Sequence, residues 1–250
     1  MTHHLQAESK ANTLLADIFT YFHSRNSIDN FTKLRFEKEI ENLEDLEPKL
    51  VLKGLMLYMT GEFEEGEKLF KRALALFHST PFLAVNHISA LNLLGHYQLV
   101  REHFKIYVSS SSPIVLVEAL ADACTYLDLK SINSILKSLE PMEVALKQFH
   151  SEIEAAKGKA KFITSFLEAT GKDASIIDKN INILLQTLES EGLLYKGYGA
   201  RAYESDVLDI YFKVDYSVED VIRLNEKLID NLLDSDAYDS SITLRFRPYN

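Results

Sequence analysis

A chain of 250 residues, 46% hydrophobic and 26% charged, can bury a sizeable core, which excludes wholesale disorder. A net charge of −10 disfavours broad binding to phosphate backbones unless a local basic face exists. The lone Cys124 excludes an internal disulfide and a cysteine-based zinc cage, and no apolar run reaches the ~20 residues of a membrane span. The opening MTHHLQAESK has no basic segment followed by an apolar one, so no secretory signal is expected and the cytoplasm is the expected compartment.

Taken in order, Thr13 to Leu43 reads as two helices split by the polar turn SRNSIDN. An acidic run, EKEIENLEDLEP, follows from Glu37 to Pro48; it reads as a solvated helix face, with steering of a basic partner as the alternative. Val51 to Phe77, VLKGLMLYMTGEFEEGEKLFKRALALF, reads as an apolar helix, a Gly-x-aromatic turn and a second, amphipathic helix. The same arrangement returns in VNHISALNLLGHYQLVREHFKIYV, where Gly95, Tyr97 and Phe104 stand 34 residues after Gly61, Phe63 and Phe70. A period of 34 is that of a helix–turn–helix solenoid repeat, whose units must stack to bury their apolar faces. Small residues at Gly54, Gly66 and Ala73 would let paired helices approach closely. Pro113 opens a further pair split near Asp128, and Pro141 a longer helical stretch closed by Gly171.

The residues Gly54, Gly61, Phe63, Gly66, Phe70 and Ala73 match in register the pattern of the tetratricopeptide repeat (TPR) family, which the chain resembles over residues 47–114. The second copy departs from that pattern at Ile88, Val100 and Tyr107. The resemblance implies an α-solenoid whose concave face, built from each unit's first helix, binds a protein or peptide. On this chain those first helices carry Lys53, Tyr58, Asn86, His87 and Asn92 as the partner-binding candidates, the two asparagines as clamps for a peptide backbone. The second unit has no obvious polar capping helix, which allows self-association through a solenoid end.

The pattern changes after Gly171. DASIIDKNINILLQTLESEGLL reads as one helix with Asp173 at its N-cap. The segment across residues 193–203 allows an extra strand, VLDIYFKVD alternates as a half-buried strand, and SITLRFRPYN alternates again. Between the last two, Ser217 and Asp220 form a capping box for a helix with the apolar stripe Val218, Val221, Ile222, Leu228, Ile229 and Leu232. The expected fold is therefore mainly α: a TPR-like α-solenoid of helix pairs over 1–170, then a connector helix and a small α/β strand–helix–strand domain over 171–250. Tyr211, Lys213, Arg245 and Arg247 would point away from the covering helix as a secondary binding surface for a partner, an anion or single-stranded RNA.

Catalytic motifs are absent from the sequence. There is no Gly-x-Ser-x-Gly, no phosphate-binding Gly-x-x-x-x-Gly-Lys-Ser/Thr, and no zincin spacing among His78, His87, His96, His103 and His150. The serine run Ser109 to Ser112 reads as a loop and Cys124 as a buried, inert thiol. The expectation is a non-enzymatic interaction module with no cofactor and no metal, an adaptor, chaperone-like or regulatory subunit. The alternative is a nucleic-acid regulator using the winged-helix-like segment 173–203 or the basic sheet face. It is disfavoured because residues 172–196 set Lys172, Lys179 and Lys196 against Asp173, Asp178, Glu189 and Glu191.

Overall fold

The computed structural model describes residues 2–24, 28–109, 112–203 and 206–249, with side chains from Lys10 onward. Parts of the expected SRNSIDN turn and of the serine run lie outside the described residues. Among the described residues the chain is mainly helical, with twelve helices and a C-terminal sheet of three strands. It divides into two compact units, Met1–Leu94 and Gly95–Asn250. The boundary expected near residue 170 thus falls inside the second unit, where the C-terminal sheet and helices share one core with the preceding helix pairs.

The first unit holds α1 (Thr2–Ser24), α2 (Asn30–Glu41), α3 (Leu46–Met59), α4 (Phe63–Phe77) and α5 (Pro81–Leu94). Its tightest pairing is α3 with α4. A Cβ on Gly54 would come within 2.8 Å of the Phe70 ring, and one on Gly66 within 2.6 Å of the Tyr58 ring and 3.0 Å of the Gly54 carbonyl. The two glycines therefore act as sockets for aromatic rings of the facing helix. Tyr58 fills the space over Gly66 and stacks on Phe63, ring centroids 4.6 Å apart.

The turn between these helices recurs. Gly61 takes φ +81° and Gly95 φ +80°, the left-handed conformation that favours glycine. Leu127, 32 residues after Gly95, takes φ +55° in the same place between the next two helices, α7 (Pro113–Thr125) and α8 (Leu129–Leu139). The backbone bond that closes the turn repeats too: Glu62 donates to Leu57 at 2.8 Å and Asp128 to Ala123 at 2.9 Å, the Schellman pattern. A non-glycine is tolerated at Leu127 because its side chain is buried and repays the backbone strain.

The second unit begins with α6 (Tyr97–Tyr107), then α7 and α8. The long helical stretch after Pro141 breaks at Phe149 into α9 (Glu143–Gln148) and α10 (His150–Thr170), closed by Gly171 at φ +64°. Gly158, in the middle of α10, is exposed with no atom within 4 Å of a built Cβ. Gly158→Ala is expected to raise stability by ~0.5–1 kcal/mol, read as a higher urea midpoint at unchanged slope.

α11 (Ser175–Ser190) follows, with Asp173 accepting from the Ser175 amide at 2.9 Å. Next come β1 (Tyr195–Tyr203), β2 (Val207–Val214), α12 (Val218–Asp234) and β3 (Ile242–Pro248). β1 pairs antiparallel with β2, and β2 parallel with β3, so α12 is the crossover of a β–α–β unit. Ser217 caps α12 by accepting from the Asp220 amide at 3.1 Å while donating to the Asp220 carboxylate at 2.8 Å. Leu208, Ile210, Phe212, Val214, Ile242, Leu244 and Phe246 form the buried sheet face. The expected α12 stripe needs correction. Val221, Leu224, Leu228 and Leu232 are buried, whereas Val218, Ile222 and Ile229 are exposed. The helix turns its 3–4–4 line of leucines and valine inward, and β-branched neighbours one step round the helix stay in solvent.

Candidate functional site

The five helix residues expected to meet a partner do not share a surface role. Tyr58 and His87 are buried, which corrects their assignment to a binding face. His87 stacks on Phe70 with ring centroids 3.9 Å apart, lies 2.9 Å from the Tyr58 hydroxyl and pairs with Glu67 at 2.9 Å. The polar groups satisfy one another in the core, so these side chains pack the unit. Asn86 donates its amide to the Phe82 carbonyl at 2.6 Å, a local bond within its own helix. Asn92 is half-buried, and its Oδ1 has no hydrogen-bond partner among the described residues. Lys53 is exposed and pairs with Glu41 at 3.0 Å. The acidic run is also partly neutralised within the chain, since Lys49 and Lys53 both reach Glu41, and Arg35 lies 3.9 Å from Glu39.

The outer face of the C-terminal sheet brings more chemistry together. Strand alternation and register place Arg201 opposite Asp209, Gly199 opposite Tyr211, and Tyr211 opposite Arg245. Lys213 stands between Gly197 and Arg247 on the same face. One carboxylate oxygen, Asp209 Oδ2, accepts from Arg245 at 2.7 Å, Arg201 at 2.9 Å and Arg247 at 3.2 Å. The Asp209 side chain is only 1% exposed, while Arg201, Arg245 and Arg247 are 50%, 37% and 30% exposed. Burial works against ionising Asp209, but the hydrogen bonds from Arg245 and Arg201 and the charge of Arg247 outweigh it and hold its carboxyl below the usual range.

The cations are also held from the side. The Arg247 guanidinium lies 4.1 Å from the Tyr211 ring centre, and Arg201 4.8 Å from that of Tyr203. Tyr211 itself lies over Gly199, where any side chain would collide with its ring. Three guanidinium groups are therefore arrayed around one carboxylate, and a fourth cation, Lys213, lies further along the same face against Gly197 and the Tyr249 ring. Such preorganisation lowers the entropy cost of receiving an anionic group, and arginine's planar fork suits carboxylate and phosphate alike. Asp209 and Arg201 were not singled out from the sequence. The signal that could have found them is the alternation itself, since Asp209 shares the outer face with Tyr211 and Lys213.

The segment 173–203 holds α11 and β1. In α11, Ile177, Asn180, Ile181, Leu184, Leu185 and Leu188 are buried, and the helix packs on α12, α6 and β3. Its Lys179 donates to the Asp236 carbonyl at 2.7 Å. The exposed side of α11 carries Asp178, Lys179 and Gln186 and no arginine.

A cleft of about 230 Å³ opens between α6, α7 and α8, lined among others by Arg101, Phe104, Asp122, Tyr126, Asp128 and Ile135. Arg101 is buried, bonds Asp178 at 2.5 Å and Asn182, and lies 3.9 Å from Asp128. Asp122 is half-buried. Burial pushes its carboxyl up to about 8, against the pull of Arg101 and with the help of Asp128. The folded protein thus keeps a proton between 3.8 and about 8 that the unfolded chain has released, so this group makes stability fall as pH rises through that window. Asp122→Asn is expected to flatten that decline, as measured by urea unfolding at points between pH 5 and pH 8. Cys124 is half-buried on the same helix, and burial pushes its thiol up to about 11, out of the reactive range.

No helix among the described residues is long and apolar enough to cross a membrane. Comparison of the chain with family models, curated proteins and solved structures gave no match.

Proposed function

We propose that this protein is a non-enzymatic interaction protein, a TPR-like array of helix pairs whose C-terminal sheet receives an acidic segment of a partner protein. The observation that carries this reading is the outer sheet face, where Arg201, Arg245 and Arg247 surround the carboxylate of Asp209 and Lys213 stands further along the same strand, on a chain of net charge −10. A local excess of fixed positive charge on an acidic protein steers and orients an acidic partner while the remaining surface repels unsuitable ones. The TPR-like part of the reading is supported by the interlocked α3–α4 pair and by the left-handed turns at Gly61, Gly95 and Leu127. Lys53 and Asn92 are what the burial of Tyr58 and His87 leaves for a second contact on the helices.

The test is fluorescence anisotropy of a labelled glutamate-rich peptide titrated with the full chain. Binding is expected to weaken at least tenfold in Arg245→Gln/Arg247→Gln, measured below the variant's own melting transition because Asp209 loses two of its three partners and the variant melts earlier, and to fade as salt rises. Equal affinity for that variant and the parent protein would remove the sheet from the reading.

A second reading, single-stranded nucleic acid on the same face, is favoured by one observation: Tyr211 carries Arg247 on its ring and offers a surface for base stacking. Four cations would give a salt slope of about −3 for a single strand. Retention of an oligouridine with that slope, in preference to the acidic peptide, would favour nucleic acid.

A further inference from the structure

The cleft between α6, α7 and α8 holds one polar group that the rest of the protein leaves unanswered. Arg101, on its floor, is met by Asp178, Asn182 and Asp128. Asp128 in turn caps α8, accepting from the Ser131 amide at 3.0 Å and from its hydroxyl at 2.8 Å. The Asp122 carboxylate accepts no hydrogen bond among the described residues, its backbone carbonyl alone accepting from the Tyr126 amide, although it lines the cleft beside Arg101 and Tyr126. Since the charge of Arg101 is already met, an ionised Asp122 would be an uncompensated carboxylate. The walls beside it are mostly apolar, Phe104, Val108, Ala119, Ala123 and Ile135, with Ser131 and Ser134 on the α8 side.

We infer that this cleft is a binding site for a small organic monocation, an amine or guanidine on a short aliphatic chain, whose charged head pairs with Asp122 and whose chain lies between Phe104 and Ile135. The volume, about 230 Å³, is below the ~300–1,000 Å³ of drug-sized sites, which restricts the occupant to a few heavy atoms. A cation supplies both the missing hydrogen bond and the missing charge, while an anion would face Asp122 and Asp128 together. Two positive groups of α6 line the cleft: Arg101 on the floor, already paired with Asp178 and near Asp128, and Lys105, exposed at the rim, which opposes a cation. Other ionisable groups around Asp122 are Tyr126 on α7, Asp128 at the head of α8, Asp178 on α11 and Tyr195 on β1. Tyr126 and Tyr195 stay neutral because burial raises both phenols.

Binding is then coupled to release of the Asp122 proton. With its carboxyl raised to about 8, Asp122 is mostly protonated at pH 7, so a cation that ionises it there displaces a proton, and it displaces almost none at pH 9.5. The experiment is calorimetric titration of the full chain with n-butylammonium in buffers that carry no net positive charge, phosphate and MOPS at pH 7 and borate and CHES at pH 9.5, so that the proton count is read from the difference in heat. Millimolar binding with proton release at pH 7 that vanishes by pH 9.5 is expected. Asp122→Asn is isosteric with the protonated acid; it should keep the parent melting behaviour at pH 5, lose proton release and weaken binding at least tenfold. Lys105→Met should tighten binding several-fold. n-Butanol or butyrate binding as well as the amine, amine binding without proton release, or no heat at tens of millimolar amine would each overturn the assignment.

Discussion

Asp209→Ala is expected to lower the stability of the second unit by about 3 kcal/mol, at the lower end of the ~3–5 kcal/mol that follows removal of one partner from a buried ion pair. The carboxylate is almost wholly buried and is the shared acceptor of Arg201, Arg245 and Arg247. Without it, three guanidinium groups face one another across adjacent strands with no counter-charge, and part of the Arg245 side chain is already buried without a partner at Nε. Their partial exposure lets water recover some of the loss, which is why the lower end applies. Asp209→Asn keeps an acceptor oxygen and should cost less. The pH dependence has a defined sign. The folded-state carboxyl is held below its unfolded value of 3.8, so its contribution is complete above that value and disappears as pH falls through the folded one. Urea unfolding at pH 7 and pH 3 reads both effects. A loss under ~1 kcal/mol at pH 7 would mean that the arginines find other partners or hydrate freely.

Gly66→Ala is expected to cost the first unit ~2–3 kcal/mol, the upper part of the range for overpacking a filled interior. The added methyl would stand 2.6 Å from the Tyr58 ring and 3.0 Å from the Gly54 carbonyl, so neither a side-chain rotation nor a small backbone shift clears it alone. Tyr58 cannot simply move, because its ring stacks on Phe63 and its hydroxyl bonds Glu67 and His87. For a unit of this size each kcal/mol shifts the melting temperature by ~4–8 °C, so a drop of roughly 8–24 °C should appear in calorimetry. Gly158→Ala, the same chemical change on an open helix surface, should move stability the other way. A melting temperature unchanged by Gly66→Ala would show that α3 and α4 separate readily, and would weaken the proposed helical array with it.

The two variants sample different kinds of legibility. Gly54, Gly66 and Phe70 could be placed from spacing alone, because a glycine at a fixed distance from an aromatic along paired amphipathic helices has few uses other than close approach. His87 and Tyr58 sit in the same stretch and were read as surface residues. Their burial depends on Glu67, which lies in α4, between the helix of Tyr58 and that of His87, and whose carboxylate makes the polar cluster tolerable inside the core. Nothing local to Tyr58 or His87 carries that information. On α12 the period was visible but its phase was not. Val218, Ile222 and Ile229 satisfy a helical stripe as well as Val221, Leu224 and Leu228 do, and only the packing against β3 and α11 selects the second set.

What the sequence by itself determined about this protein is its local grammar: helices bounded by glycine or proline, a turn repeated at 34 residues, strands of alternating polarity after Gly171, and a capping box at Ser217. These follow from backbone propensity and from periods of 3.6 and 2, which act over neighbouring residues. The tertiary structure alone decided where the compact units divide, which face of α12 is inward, and that Asp209 gathers arginines from strands on both sides of its own. The physical reason is distance along the chain. Arg201 and Arg245 reach Asp209 from 8 and 36 residues away, and such pairing is set by strand register and the burial of the opposite sheet face.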